Sequence, residues 1–274
     1  MLKNEVKLDG VRNARELGGF PVGTKVVKKG VLIRTGTLEH AREDAIRVLS
    51  ERYHVQAVID FRMTGEVRKV PDPEVPGAKK IHLPVIEFED YITKLGDSEL
   101  ARHYLSQNMS REEMVEVAFR HGLIGPEMYL FFLMGEKGKK AYHEFFQTLL
   151  AADPKNGAVL WHCTDGKDRA GLASALLLAA LGASEETILE DYLLTNAYHA
   201  SMLEKVREKL ASAEIAPEMM DVLLFAAGGA IENYLLRAFE GMDKEFGGIN
   251  GYLSEALKLT TSDIGELRKK YTED

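Results

Sequence analysis

One short stretch, His162 to Gly171 (HCTDGKDRAG), places a thiol, two carboxyls, an amine and a guanidinium in a single polar run. Cys163 is the only cysteine of the chain, so it has no partner for an internal disulfide and no resolving thiol if it is oxidised. A thiolate is the reactive form of cysteine, and nearby positive charge can lower its pKa by several units. Arg169 offers a planar fork that holds two oxygens of a tetrahedral anion at once, which lysine does less well. The chemistry such a set can do is nucleophilic attack on an anion that the loop itself holds.

An apolar run, Val159-Leu160-Trp161, precedes the cysteine, and a long apolar segment, Leu172 to Leu181, follows the arginine. That is the sequence form of strand, tight loop and helix, with Gly166 at the turn. Successive loop N–H groups pointing inward, closed by a helix N-terminus, form a concave oxyanion site.

These residues bring a family into view. His162, Cys163, Gly166, Arg169 and Gly171 resemble the His-Cys-x5-Arg phosphate-binding loop (P-loop) of the cysteine-dependent protein tyrosine phosphatase superfamily. Gly166-Lys167-Asp168-Arg169 is similar to the bacterial tyrosine and dual-specificity branch, some of whose members also act on phosphoinositides. A second, distant stretch, Asn13-x-Arg15-Glu16-x-Gly18-Gly19, resembles that family's Asn-x-Arg-Asp-x-Gly-Gly motif, with Glu16 where Asp is usual. Ile188 to Asn196 (ILEDYLLTN) and Gly247 to Leu253 (GGINGYL) resemble further family segments.

The resemblance implies a cysteine-dependent phosphatase that hydrolyses phosphotyrosine, and with it phosphoserine and phosphothreonine, through a phosphocysteine. Cys163 is the expected nucleophile, with Arg169 and the loop amides holding the phosphoryl oxygens. The leaving group needs a proton. No Trp-Pro-Asp loop is present to give it, since the single tryptophan is Trp161 beside the cysteine. Asp168, just before the arginine, is the expected acid, as proposed for the similar bacterial enzymes; Asp165 is the other candidate. Thr164, Asp165, Gly166, Lys167 and Ala170 complete the expected substrate contacts. His162, Asp60, Arg62 and Asn196 are expected in support.

Two positions depart from the usual pattern. Asp165 stands where tyrosine phosphatases tend to have a small residue, and Cys-Thr-Asp-Gly-Lys-Asp-Arg resembles the myotubularin lipid-phosphatase loop. Together with Lys167 it makes a phosphoinositide or inositol phosphate the alternative substrate. Ala170 replaces the Ser or Thr whose hydroxyl assists breakdown of the phosphocysteine. Slow turnover is the expectation there, and a phosphate-binding module without turnover is the rival of another class.

The elements that must hold this loop are legible in outline. Gln56 to Phe61 reads as a buried strand leading to Asp60, Arg62 and Glu66, and Lys79 to Leu83 as another. Val26-Val27, Lys28-Lys29-Gly30 and Val31 to Arg34 read as a short hairpin. Thr37 is a candidate cap for a helix bearing Ala45, Ile46 and Leu49. Lys139 to Ala151 has helical spacing that ends at Asp153-Pro154, just before the cysteine strand. Leu172 to Leu181 is apolar all round and should be a central helix stopped by Gly182, and Ser184 caps the next. The chain from Ala197 to Phe246 reads as helical with a break at Ala227 to Gly229, and Thr260 to Tyr271 as a closing helix. Strands alternating with helices indicate an α/β fold with a central mixed, partly parallel sheet flanked by helices.

Between Val85 and Gly138 the pattern changes to helices rich in Tyr, Phe and Met: Tyr91, Tyr104, Met109, Met114, Phe119, Met128, Tyr129, Phe131, Phe132 and Met134. This predicts a helical insertion at about residues 86–138, as core or as a lid. No repeat or linker interrupts the 274 residues, so a single phosphatase domain over 1–274 is expected. The formal charge of −8, without a basic stripe, argues against nucleic acid as partner. The first residues, MLKNEVKLDG, lack the apolar core of a signal peptide, and no apolar run is long enough to span a bilayer, which predicts a cytoplasmic protein without stable membrane insertion. None of the eight histidines has a metal-ligand spacing, so neither metal nor cofactor is implied.

Overall fold

The computed structural model describes residues 2–96, 111–211 and 217–274. Five strands form the central sheet in the order β1 (Arg15–Glu16), β4 (Leu32–Thr35), β7 (Val159–His162), β5 (Ala57–Asp60), β6 (Lys79–His82). The last four are parallel and β1 is antiparallel to β4. Every residue of β4, β5 and β7 is buried, as strands covered on both faces require. Register sets Thr35, His162 and Asp60 side by side at the carboxyl edge. The loops that leave this edge therefore converge, at the place where parallel α/β sheets bind ligands.

A smaller sheet joins β2 (Pro21–Val22), β3 (Lys25–Val27) and β8 (Thr272–Glu273). It corrects the hairpin expected for Val26 to Arg34. Val26 and Val27 pair with Glu273 and Thr272, whereas Leu32 to Thr35 is buried beside the cysteine strand. Local alternation cannot distinguish these, because both segments are short and apolar.

Helix α1 (Glu43–Arg47) continues into a π-helical turn, Val48–Arg52, and buries Ala45 and Leu49. Thr37 does not cap it; the cap position is Arg42. Instead, the Thr37 hydroxyl binds Asp72 at 3.2 Å and accepts from Arg62 at 3.0 Å. Helix α2 (Thr64–Lys69) follows β5. Between β6 and β7 lie α3 (Phe88–Leu95), α4 (Arg111–Arg120), α5 (Pro126–Met134) and α6 (Glu136–Ala151). Leu95, Ala118 and Leu123 form a small core of their own. Met128, Tyr129, Phe132 and Leu133 of α5 belong to the main core. Tyr104, Met109 and the Met114 side chain lie outside the described residues.

Helix α7 (Arg169–Leu181) runs directly out of the cysteine loop, and residues 170 to 181 are all buried. Its five leucines each contribute roughly 1.5–3 kcal/mol of gross burial. Such a helix is a rigid mount for the loop. Gly182 stops it in the left-handed region at φ 103°, and the Ser184 hydroxyl caps α8 (Glu185–Tyr198) by accepting from the Thr187 N–H. Then come α9 (Ala200–Leu210), α10 (Pro217–Ala226), α11 (Glu232–Phe246) and, after a turn at Ile249–Gly251, α12 (Thr261–Tyr271). Trp161 of β7 packs edge-on against Phe145 of α6, with ring centroids 5.3 Å apart, which closes the core beneath the loop. Among the described residues, no helix is long and apolar enough to cross a membrane.

Candidate active site

Cys163 follows β7 directly and is 1% exposed. Gly166 takes φ 68°, and a Cβ there would lie 2.3 Å from the Thr35 carbonyl oxygen, so both backbone conformation and close approach require glycine. The loop carbonyls are drawn outward. Asn13 Nδ2 donates to Asp165 O at 3.0 Å and Gly166 O at 3.2 Å, and Arg34 Nη2 donates to Gly166 O at 2.6 Å. Among the described residues, the N–H groups of Thr164 to Asp168 donate to no carbonyl or side chain. Bound carbonyls and free amides in one short loop are what an anion cradle of this spacing requires.

The tie has a deeper anchor. Asp191 of α8 sits between Arg15 and Arg34, accepting from Arg15 Nε at 2.9 Å and from Arg34 Nη1 at 2.5 Å, and all three are buried. Burial raises the Asp191 pKa, but the two guanidiniums outweigh it and hold the carboxyl below its usual range. Arg15 is brought down to about 10 by burial and by neighbouring Arg34. Arg15 also holds the Asn13 side chain. The Asn13/Arg15 motif therefore works through the loop backbone, 152 and 153 residues from Asn13 in sequence.

Arg169 opens α7 and turns back across the loop. It donates to both oxygens of Glu66, and its Nη2 donates to the Thr164 hydroxyl at 3.0 Å. The Thr164 hydroxyl donates to Glu66 Oε1 at 2.5 Å, and Glu66 Oε2 also accepts the Met63 N–H at 2.8 Å. Burial works against the charge on Glu66; Arg169, Thr164 and Met63 overcome it and hold its pKa at about 2. Burial likewise opposes the charge on Arg169, and Glu66 and Cys163 raise its pKa overall. The guanidinium is thus fixed as a cation in one plane.

Asp168 Oδ1 accepts from the Tyr129 hydroxyl at 2.7 Å and lies 4.0 Å from Lys167 Nζ. Its pKa is raised, by burial first; Lys167 and Tyr129 oppose the rise and Asp165 adds to it. Asp165 sits at the rim, 35% exposed, with its Oδ1 3.5 Å from Arg12 Nη2. Lys167 is buried: its ammonium donates to the Phe225 carbonyl of α10 at 2.7 Å and lies 3.5 Å from that ring's centroid. Ala170 is fully buried in the first turn of α7, where its carbonyl accepts from Trp161 Nε1 and from the Ser174 hydroxyl.

Of the supporting residues, His162, Asp60 and Arg62 meet behind the loop. Arg62 grips Asp60 through Nε and Nη2 and reaches Asp72 Oδ2 at 2.5 Å; His162 Nε2 lies 3.2 Å from that oxygen. Burial raises the Asp72 pKa, but His162 and Arg62 dominate and hold it at about 2. Asp60, Asp72 and His162 are close enough together to suggest a metal site, yet both carboxylates already face the Arg62 cation, which a divalent ion would have to displace. Asn196 is placed elsewhere: it bonds Ala230 in both directions, and its neighbour Thr195 is the residue near Asn13. Glu66, Tyr129, Asp191 and Asp72 are the site residues whose contacts no local spacing announces.

A sequence model described as the tyrosine phosphatase family matches residues 6–273. A protein of Cupriavidus necator named as a tyrosine-protein phosphatase is 28% identical over 273 residues, covering 98% of this chain and 89% of its own. A triple-specificity protein phosphatase of Mycobacterium tuberculosis is 27% identical over 267 residues, 91% of this chain and 93% of its own. A tyrosine-protein phosphatase of Nostoc commune is 39% identical over 57 residues, 21% of this chain and 19% of its own.

Proposed function

The chain belongs to the tyrosine phosphatase family, and on that premise we propose that it cleaves phosphotyrosine esters through a phosphocysteine formed on Cys163. Membership makes it a phosphatase, a phosphoric monoester hydrolase. The observation that carries the finer reading is Cys163 at the floor of five free loop amides, with Arg169 locked beside it by Glu66. Cys163 Sγ, as thiolate, attacks phosphorus; the S–P bond forms as the ester P–O bond breaks, with its electron pair staying on the leaving oxygen. Arg169 and the amides of Thr164 to Asp168 hold the equatorial oxygens while their charge reorganises. Asp168 gives its proton to the leaving oxygen. The raised pKa of its carboxyl, together with its position beside Arg169, supports that role. Water then attacks phosphorus, Asp168 takes a proton from it, and thiolate and phosphate are released.

The Mycobacterium tuberculosis relative is named a triple-specificity protein phosphatase, which supports more than one kind of phosphoester as substrate, and phosphoserine and phosphothreonine are included on that ground. Phosphate release should be measured on phosphotyrosine, phosphoserine and phosphothreonine peptides and on phosphoinositide vesicles, with the intact chain and with Cys163→Ser. Turnover of phosphotyrosine peptides that Cys163→Ser abolishes is expected. Release from phosphoinositides alone, or activity that survives the loss of the thiol, overturns this reading.

A further inference from the structure

Asp168 does not stand alone in its pocket. Its Oδ1 is bound by the hydroxyl of Tyr129, which is 2.7 Å from the hydroxyl of Tyr192, and both tyrosines are essentially unexposed. The direction of this chain follows from counting protons. A phenol has one to give. Tyr129 gives its proton to Asp168, so Tyr192 must give its own to Tyr129. Burial and the Asp168 charge raise the Tyr129 pKa well above its ordinary value, which keeps Tyr129 a donor. The line therefore runs one way, from the Tyr192 hydroxyl through Tyr129 to Asp168 Oδ1, and each bond polarises the next.

A carboxylic acid carries its proton on one oxygen. With Oδ1 filled by an incoming hydrogen bond, a proton placed there would have to displace Tyr129, whereas Oδ2 has no such competitor among the described residues. Lys167 Nζ also lies on the Oδ1 side, at 4.0 Å. We propose that Tyr129 is a positioning residue for the acid: it directs the proton of Asp168 to Oδ2 and fixes the plane from which that proton is delivered. This rests on the reading of Asp168 as general acid. In the transfer, the Oδ2–H bond breaks and an O–H bond forms on the leaving oxygen as P–O breaks. Tyr129 keeps its own proton throughout and donates more strongly to the carboxylate left behind.

The arrangement uses two successive residues of α8. Asp191 reaches the loop through Arg34 to the Gly166 carbonyl, and Tyr192 reaches it through Tyr129 to Asp168. One helix thus sets both the anion cradle and the acid. Tyr129 itself stands on α5, and its ring packs edge-on against Tyr192 and Tyr234 at centroid distances of 6.0 and 6.3 Å. Tyr129→Phe removes the hydroxyl and keeps those ring contacts, so the packing should survive.

The test is kcat/KM for Tyr129→Phe, as a function of pH, on aryl phosphates graded by leaving-group pKa. A loss of about tenfold is expected for phenyl phosphate, with under about twofold for an activated dinitrophenyl ester. The basic limb of the profile should move to higher pH, because the lost hydrogen bond favours the ionised carboxyl. Tyr192→Phe should give a smaller change in the same direction. Adding Tyr129→Phe to Asp168→Asn should cost nothing further in leaving-group dependence. Equal losses on all esters, or an unmoved basic limb, overturn the proposal. Should Asp168→Asn itself show no leaving-group dependence, the acid reading fails and the proposal falls with it. If Asp168→Asn shows that dependence and Tyr129→Phe does not, only the proposal fails.

Discussion

Arg169 donates to both oxygens of Glu66, Nη1 to Oε2 at 2.6 Å and Nη2 to Oε1 at 3.1 Å, so its guanidinium is held by a fork from another loop. Glu66 is 103 residues away in sequence and is brought there because β5 lies next to β7 in register. A charge-assisted, two-point contact fixes a plane as well as a distance. Glu66→Gln keeps the shape and loses the charge and one acceptor. Its kcat/KM should fall by roughly 10- to 100-fold, the order seen when a catalytic group shifts by an ångström. The loss should be the same for good and poor leaving groups, since the acid is untouched. Wild-type kcat/KM in this variant, measured on any aryl phosphate, would remove Glu66 from the positioning role.

Acid should weaken the fold through the same carboxylates. Glu66 and Asp72 have folded pKa values of about 2, and that of Asp191 is also depressed. Unfolded carboxyls titrate near pH 4. A depressed folded value means that stability is fully present above about pH 4.5 and drains away as pH falls toward 2. Each strongly shifted group contributes on the order of 2–3 kcal/mol. Urea unfolding at steps between pH 6 and pH 2.5 should show the decline, and Glu66→Gln should show a shallower one. A flat profile down to pH 3 would contradict these assignments.

The loop was legible in the sequence because its parts are neighbours. A strand, a thiol, a left-handed glycine and an arginine at a helix start are all fixed by positions 159 to 171, and the buried helix beyond them is plain from its unbroken apolarity. Ser184 and Gly182 were legible for the same local reason. What local spacing could not supply is pairing across the chain. Tyr129 reads as one more aromatic on an apolar helix, and only its hydroxyl's contact with Asp168, 39 residues on, makes it distinctive. Val26-Val27 and Val31 to Arg34 look like partners because a turn joins them, yet Val26-Val27 pairs with the chain's last strand and Leu32 to Thr35 with the buried cysteine strand. Lys167 was expected to face substrate phosphates; the structure shows its ammonium against the Phe225 carbonyl and ring, an encounter fixed by how α10 packs.

Ala170 bears on the second chemical step. The residue after Arg169 is fully buried and has no hydroxyl, so in the proposed mechanism it offers no group to help water attack the phosphocysteine. The Ser174 hydroxyl is occupied with the Ala170 carbonyl and the Trp161 indole and does not replace it. Dephosphorylation of the enzyme should then be slower than its phosphorylation. Stopped-flow measurements with an activated aryl phosphate should show a burst of phenol close to one equivalent per Cys163, followed by slower steady release. Linear release from the first turnover would mean that hydrolysis of the intermediate is not limiting and that another group positions the water.

Asp168 and Asp165 are both in the loop, and their surroundings separate them. Asp168 is mostly buried, its pKa is raised chiefly by that burial, and Tyr129 holds it; Asp165 is at the rim beside Arg12. Burial favours the neutral carboxylic acid, the form that can give a proton. An acid whose pKa is raised holds its proton further toward neutral pH and loses it as pH climbs through that value, so kcat/KM should decline on the basic side. In Asp168→Asn the proton is gone at every pH. Activity on phenyl phosphate should drop by roughly 100- to 1000-fold, while a dinitrophenyl ester, whose phenolate leaves without help, should lose only a few-fold. Asp165→Asn should leave the leaving-group dependence unchanged. If instead the Asp165 variant carries the selective loss, the acid is the rim residue, and Asp168 only orients Lys167 and Arg169.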